Sequence, residues 1–150
     1  MDEQQGAVEA ARRAAVAADL RALIGRLRRR LQDEAPPGAF TPSQTAVLAR
    51  LVRAGPATVT TLARAEGMRP QSMGAIVSAL EAAGLVQGAP DPCDGRQTIL
   101  SLTALAHETI TAGRAAKEDW LVRTMETKLT PDEQDALARG VELLKRLVDP

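Results

Sequence analysis

Apolar residues recur at the spacing of a helix face along both ends of this chain. Residues 8–32 form an Ala- and Arg-rich stretch with an apolar stripe, which predicts one long helix, and residues 104–128 predict another. Thr130 and Glu133 bracket the start of a further helix, as in a capping box. Residues 1–7 are polar, and we expect them to form a frayed tail.

The middle of the chain predicts shorter elements, beginning at Thr41. This residue precedes Pro42 and lies three positions before Gln44, which together predict a capped helix start. The helix that follows has three apolar residues on its expected inner face: Leu48, Leu51 and Val52. The preceding segment, residues 33–40, is rich in Pro and Gly and is expected to be a loop.

Two closely spaced helices follow. A short one is expected from Thr60 to Gly67, and the next from Pro70 to Ala83, stopped by Gly84. The second has an apolar face made of Met73, Ile76, Val77, Leu80 and Ala83. Its opposite face is small and polar, with Gln71, Ser72, Gly74, Ala75 and Ser78. Such a face allows a partner to approach the helix closely.

A hairpin is predicted next, because two apolar runs, residues 85–86 and 98–102, flank a segment rich in turn residues. At its centre stands the hexapeptide Asp91-Pro92-Cys93-Asp94-Gly95-Arg96. Residues 57–59 could add a third strand to this sheet. Two helices joined by a tight turn and followed by a hairpin are the order of a winged helix-turn-helix.

This ordered set resembles the DNA-binding lobe of MarR-family transcriptional regulators. The resemblance rests on Leu62-Ala63, Pro70-Gln71-Ser72-Met73, Leu80-Glu81-Ala82-Ala83-Gly84-Leu85-Val86, the wing hexapeptide and Leu102-Thr103. More loosely it extends over residues 18–148. It implies a mainly α fold with a small β-hairpin wing, in which a DNA-binding lobe (41–103) is bracketed by dimerisation helices (8–32 and 104–148).

The resemblance also implies a function. A homodimeric regulator, expected to be a repressor, would bind an inverted-repeat operator in double-stranded DNA and be released by a small aromatic or anionic effector. The terminal helices carry more apolar surface than one small lobe needs, which independently favours pairing with a second copy. The candidate DNA-binding residues are Arg69, Gln71, Ser72, Gly74, Ala75, Ser78, Asp94 and Arg96.

Each candidate has a distinct expected role. Gln71 and Ser72 can bond base edges or phosphates, while Gly74 and Ala75 allow close approach or contact a thymine methyl group. The alternative for Ser72 and Ser78 is a solvated face with no partner. Contact with DNA is favoured for Ser72, whereas Ser78 fits both interpretations equally well. Arg69 would position the protein on a phosphate.

The wing adds one candidate pair. Arg96 would reach into the minor groove or contact its phosphates. The resemblance implies that Asp94 holds this arginine in place. A purely structural pair that stabilises the tip is the alternative, and both roles could hold together.

Charge leaves a rival interpretation open. The chain has 19 basic and 19 acidic residues, and residues 59–103 contain three arginines against four acidic side chains. Few phosphate contacts predict weak DNA binding with a shallow salt dependence. The alternative is a winged-helix module that binds protein with little or no DNA binding. The arginines of residues 26–30 fit either a solvated helix end or a patch facing phosphates.

Other classes of function find little support. One histidine and one cysteine cannot build a Cys/His metal cluster, and there is no phosphate-cradling glycine loop, so we expect neither an enzyme nor a cofactor. Cys93 could be a redox sensor, although a tolerated small residue at a loop tip is the simpler interpretation. Without an apolar run of membrane-spanning length or a secretory signal, the expected location is the cytoplasm.

Overall fold

The structure is a computed structural model that describes residues 2–34 and 40–149. These residues form six helices and one two-stranded antiparallel hairpin: α1 (Asp2–Asp33), α2 (Pro42–Ala54), α3 (Val59–Ala65), α4 (Pro70–Ala82), β1 (Val86–Pro90), β2 (Thr98–Leu102), α5 (Ala104–Lys128) and α6 (Pro131–Val148). The prediction of a mainly helical winged helix-turn-helix is confirmed.

Both predicted capping boxes are present. At the start of α2 the Gln44 backbone N–H donates to Thr41 Oγ1 at 3.2 Å, and Gln44 Oε1 accepts the Thr41 N–H at 3.0 Å. Thr130 and Glu133 make the same reciprocal pair at α6. Each box satisfies two backbone donors that a helix start leaves unpaired, so the sequence signature fixes where these helices begin.

The expected third strand is reduced to a single bridge. Ala57 exchanges both backbone hydrogen bonds with Leu100, at 3.1 and 2.8 Å, and the chain then leaves the sheet. It leaves because Thr58 Oγ1 accepts the N–H of Thr61 at 3.1 Å and caps α3. The predicted helix start at Thr60 is therefore one residue late.

The expected frayed tail is also wrong within the described residues, since α1 begins at Asp2. Its first turns consist mainly of Gln, Glu and Ala, which are good helix formers. Of the predicted loop over residues 33–40, Asp33 ends α1, and residues 35–39 lie outside the described part of the chain.

The chain divides into two compact units. We call Pro36–Arg114 the central unit, and the two chain ends, Met1–Ala35 with Ala115–Pro150, the helical unit. The boundary therefore lies within α5 and not at its start. Ala106, in the first turn of α5, is fully buried in the core of the central unit, and Ile110 packs against that core.

The core of the central unit is built from α2, α3, α4, the hairpin and the start of α5. Its buried residues are Val47, Leu48, Leu51, Leu62, Ala63, Met73, Val77, Leu80, Leu85, Val86, Leu100 and Ala106. Two predicted core positions are wrong. Val52 is 43% exposed because Val47, with Leu48 and Leu51, centres the buried face about a quarter turn away from it. Ala83 is exposed because α4 ends before it.

Thr103 joins the end of α4 to the start of α5. Its hydroxyl donates to the Gly84 carbonyl at 2.6 Å and accepts the Ala106 N–H at 3.1 Å, and its own N–H donates to the Leu85 carbonyl at 3.1 Å. Gly84 has a φ of +73°, so the chain reverses there without the cost that a side chain would add. One residue thus fixes the exit from the hairpin.

Replacing Thr103 with Val should lower the free energy of unfolding by about 1 kcal/mol, because it removes the cap of α5 and leaves the Gly84 carbonyl without its donor. Thr103→Ser keeps the hydroxyl and should lie close to wild type. Urea unfolding of the three proteins measures the difference. Equal midpoints for Thr103→Val and wild type would contradict this role.

Candidate nucleic-acid interface

The turn between α3 and α4 sets the direction of α4. The Glu66 N–H donates to the Leu62 carbonyl at 3.0 Å, and the Met68 N–H reaches back to the Ala63 carbonyl at 2.9 Å. Gly67 between them has a φ of +64°, a conformation that favours glycine. Arg69 then serves as the N-cap residue of α4. This is a helix-turn-helix closed by backbone hydrogen bonds.

The core fixes which face of α4 points outward. Met73, Val77 and Leu80 are almost completely buried, which directs the opposite side of the helix to solvent. The candidate residues on that side are exposed, except Gly74, which is half-buried: Gln71, Ser72, Ala75 and Ser78. The five residues thus lie on the side of α4 away from its buried face, and all but Gln71 have small side chains.

The start of α4 is open to an anion. Arg69 is exposed and its side chain makes no capping hydrogen bond, and Pro70 fills the first helical position. Uncapped N–H groups at the first turn carry the positive end of the helix dipole. A positive side chain and this helix end therefore lie together beside the small, polar face.

The wing tip is folded by its own aspartates. The Asp91 N–H donates to the Gln97 carbonyl and the Gln97 N–H to the Asp94 carbonyl, both at 2.9 Å. Asp91 Oδ1 accepts the N–H of Cys93 at 2.8 Å, and Asp94 Oδ1 accepts that of Arg96 at 3.1 Å. These bonds give the loop one defined shape, as expected from its Asp, Pro and Gly content.

Asp94 holds Arg96 by the backbone. The contact joins the carboxylate to the Arg96 N–H, and within the described residues the guanidinium makes no ion pair with a carboxylate. The arginine side chain is therefore exposed at the tip and available to an external anion. That Asp94 also orients the guanidinium stays a prediction.

Comparison with known proteins assigns the family. Residues 40–97 match the sequence model of the MarR family. An uncharacterized HTH-type transcriptional regulator of Mycobacterium leprae is 35% identical over 136 residues, covering 91% of this chain and 94% of the relative. The chain belongs to the MarR family of transcriptional regulators.

Solved structures of transcriptional regulators have the same fold as this chain. The crystal structure of a Pseudomonas aeruginosa protein assigned as a transcriptional regulator matches with a TM-score of 0.77 and 36% identity, covering 90% of this chain and 94% of that one. Staphylococcus aureus MepR bound to an oligodeoxyribonucleotide matches with a TM-score of 0.68 and 18% identity, covering 88% and 97%. At that lower identity the likeness concerns the MarR fold.

The central unit contains an ion pair that the sequence did not suggest. Arg50 Nε donates to Glu66 Oε1 at 2.9 Å, joining α2 to the end of α3 across 16 positions of sequence. No local pattern signals a pair at that separation.

Over residues 40–103 the charges are nearly balanced, with Arg50, Arg53, Arg64, Arg69 and Arg96 against Glu66, Glu81, Asp91 and Asp94.

Three further features of the described residues concern metal ligands, thiols and membrane spans. No group of three or more His, Cys, Asp or Glu side chains there could hold a metal ion, and Cys93 is a free, exposed thiol. None of the described helices is both long and apolar enough to cross a membrane.

Gly88, in the middle of β1, is required by a close approach of β2. A Cβ at this position would lie 2.7 Å from Thr98 Cγ2 and 3.4 Å from Glu81 Oε1. The sequence pattern assigned residues 87–90 to the turn-rich segment, so this approach was not predicted; with β1 extending to Pro90, Gly88 is a glycine inside a strand, which often marks such an approach. The missing side chain lets the two strands of the wing pair closely.

Gly88→Ala should therefore lower the free energy of unfolding by roughly 1–2 kcal/mol, because Thr98 or the strand must shift. Gly95→Ala is the matched control: a Cβ at Gly95 meets nothing within 4 Å and the residue does not have positive φ, so stability should barely change. Thermal unfolding of both variants measures the contrast. Equal effects would show that the strand spacing is not tight.

Proposed function

We propose that this MarR-family protein is a sequence-specific repressor that binds an inverted-repeat operator in double-stranded DNA as a homodimer and is released by a small effector. The observation that carries the proposal is the outward face of α4, which is small and polar over a fully buried opposite face and lies on the same unit as the exposed Arg96. A major groove accepts such a helix directly.

On this proposal α4 reads bases. Gln71 forms paired hydrogen bonds with an adenine edge, Ser72 bonds a base or phosphate, and Ser78 makes a further polar contact. Gly74 and Ala75 let the helix backbone approach the groove floor, and the Ala75 methyl group can contact a thymine methyl. The exposure of the other four residues, all except Gly74, supports these roles.

Two arginines position the unit on the duplex. Arg69 binds a phosphate beside the open start of α4. Arg96 enters the minor groove, where narrow A·T-rich segments attract arginine, and Asp94 keeps the tip that presents it folded. A fold neighbour that binds an oligodeoxyribonucleotide supports DNA as the partner.

The homodimer is supported by apolar faces that the single chain leaves exposed. They lie on α1 and α6 and include Val16, Leu23, Ile24, Leu27, Leu137, Val141, Leu143, Leu144, Leu147 and Val148. So many large apolar side chains exposed on two helices of one unit favour an interface with a second copy. A two-fold dimer places two central units on one face of a duplex and so requires an inverted repeat.

Effector release needs only a ligand that favours a dimer geometry in which the two α4 helices no longer match the groove spacing. A small aromatic or anionic molecule fits the family resemblance. Repression follows if the occupied operator overlaps a promoter. Release is tested by adding candidate aromatic acids to the complex with DNA, and repression by transcription from the upstream promoter with and without the protein.

The dimer can be tested at Leu147, which is 73% exposed in the single chain. Leu147→Glu should shift the protein from twice the chain mass toward the monomer, because a carboxylate at an apolar interface loses its hydration. Arg139→Glu, at an exposed polar position of the same helix, should stay dimeric. Sedimentation equilibrium measures both. A monomeric wild type would contradict the proposal.

DNA reading can be tested by fluorescence anisotropy on a duplex from the gene's own upstream region, beside a scrambled duplex, over a salt series. Arg96→Ala should weaken binding roughly tenfold and reduce the salt slope by about 1.8, because the proposed dimer loses one cationic contact from each of its two wings and each contact contributes about 0.9. Gln71→Ala should instead reduce the preference over scrambled DNA, by about 1–3 kcal/mol, with the slope unchanged. Arg139→Ala controls for the loss of a charge elsewhere.

The near balance of charge favours one second candidate, a winged-helix module that binds protein. It predicts that the wild type shows no preference for the upstream duplex even at low salt. Because the operator could lie elsewhere, a pool of genomic fragments should then be tested. Failure to enrich any fragment would contradict the DNA-binding proposal.

A further inference from the structure

The ion pair between Arg50 and Glu66 joins two separate elements of the central unit. The other ion pairs of the described residues are local, between Arg30 and Glu34 and between Glu142 and Lys145. The Arg50 and Glu66 side chains are 33% and 21% exposed, so the contact is partly shielded from water. Partial shielding lowers the effective dielectric constant, so the attraction between these two charges is stronger than in a fully exposed pair.

Glu66 lies at the start of the turn that sets the direction of α4. It is the C-cap residue of α3, and Gly67 follows it in the left-handed conformation before Arg69 starts α4. On the other side, Arg50 lies on α2 between Val47 and Leu51, which are buried in the core. The pair therefore connects α2 to the turn between α3 and α4. Among the hydrogen bonds of the described residues, it is the one that joins α2 to this turn.

The pair also changes the local charge. Glu66 lies three positions before Arg69, so its unpaired carboxylate would oppose a phosphate at the start of α4. Because the Arg50 guanidinium is paired with Glu66, its charge is less available to a phosphate than that of an unpaired arginine. Among the five arginines of residues 40–103, Arg50 is thus the one whose charge is committed within the protein.

We propose that Arg50 is a positioning residue for DNA recognition, which acts through Glu66 on the turn before α4 and does not contact DNA. This inference rests on the proposed DNA binding. The competing role is a direct contact of Arg50 with phosphate, in which Glu66 would only weaken binding by its negative charge. The two roles predict opposite effects of removing Glu66.

The test compares wild type, Arg50→Gln, Glu66→Gln and the double variant on operator and scrambled duplexes over a salt series. As a positioning pair, each single change should weaken operator binding by roughly fivefold, and the double variant should be no weaker than either single variant. The salt slopes should stay equal to that of wild type, since no phosphate contact is lost. Exchanging the charges, Arg50→Glu with Glu66→Arg, should recover part of the lost affinity.

A merely stabilising pair would lower the thermal midpoints and leave operator preference unchanged, which would overturn the inference. A direct phosphate contact would appear as a slope reduced by about 1.8 in Arg50→Gln, one contact of about 0.9 from each chain of the dimer, with Glu66→Gln binding more tightly, and would overturn it as well. Arg53→Gln, at an exposed arginine of the same helix, controls for charge on α2. If wild type itself does not prefer the operator, it is the proposed function that fails.

Discussion

The burial of one side of α4 is the constraint on which the rest of the central unit depends. Met73, Val77 and Leu80 together leave almost no surface to solvent, so the rotation of the helix about its axis is fixed by the core. Rotating α4 about its axis by the angle of one residue would expose a large apolar side chain, at a cost of about 2 kcal/mol or more. The composition of the outward face follows from this, because the core decides which residues can be reached from outside.

Both ends of the same helix are then set by backbone geometry. Gly67 before it and Gly84 after it have positive φ, and each reversal is closed by hydrogen bonds that do not depend on side-chain choice on the outward face. The outward residues can therefore change with little effect on the fold. A scaffold of this kind separates the residues that specify a partner from those that specify the structure.

Local sequence signals predicted the helices and the hairpin of this fold, whereas contacts between residues far apart in sequence were not predicted. Capping boxes, the Pro70 start, the glycine stops and the folded wing tip each depend on neighbours within a few residues, and each was predictable. The ion pair of Arg50 with Glu66 and the tight spacing at Gly88 depend on partners that only the tertiary fold brings together. The outward face of α4 was predictable because its buried face has strict helical period.

Near-neutral charge has a consequence for how the proposed dimer would work. One central unit with so few uncommitted cations can make few phosphate contacts, so alone it would bind DNA weakly at physiological salt. Two units held in one dimer bind a duplex with an effective concentration set by their spacing, and most of the affinity then depends on that spacing being correct. A small change of dimer geometry would consequently remove most of the binding. In the proposed complex, weak individual contacts would therefore let a small ligand control DNA binding through the dimer geometry.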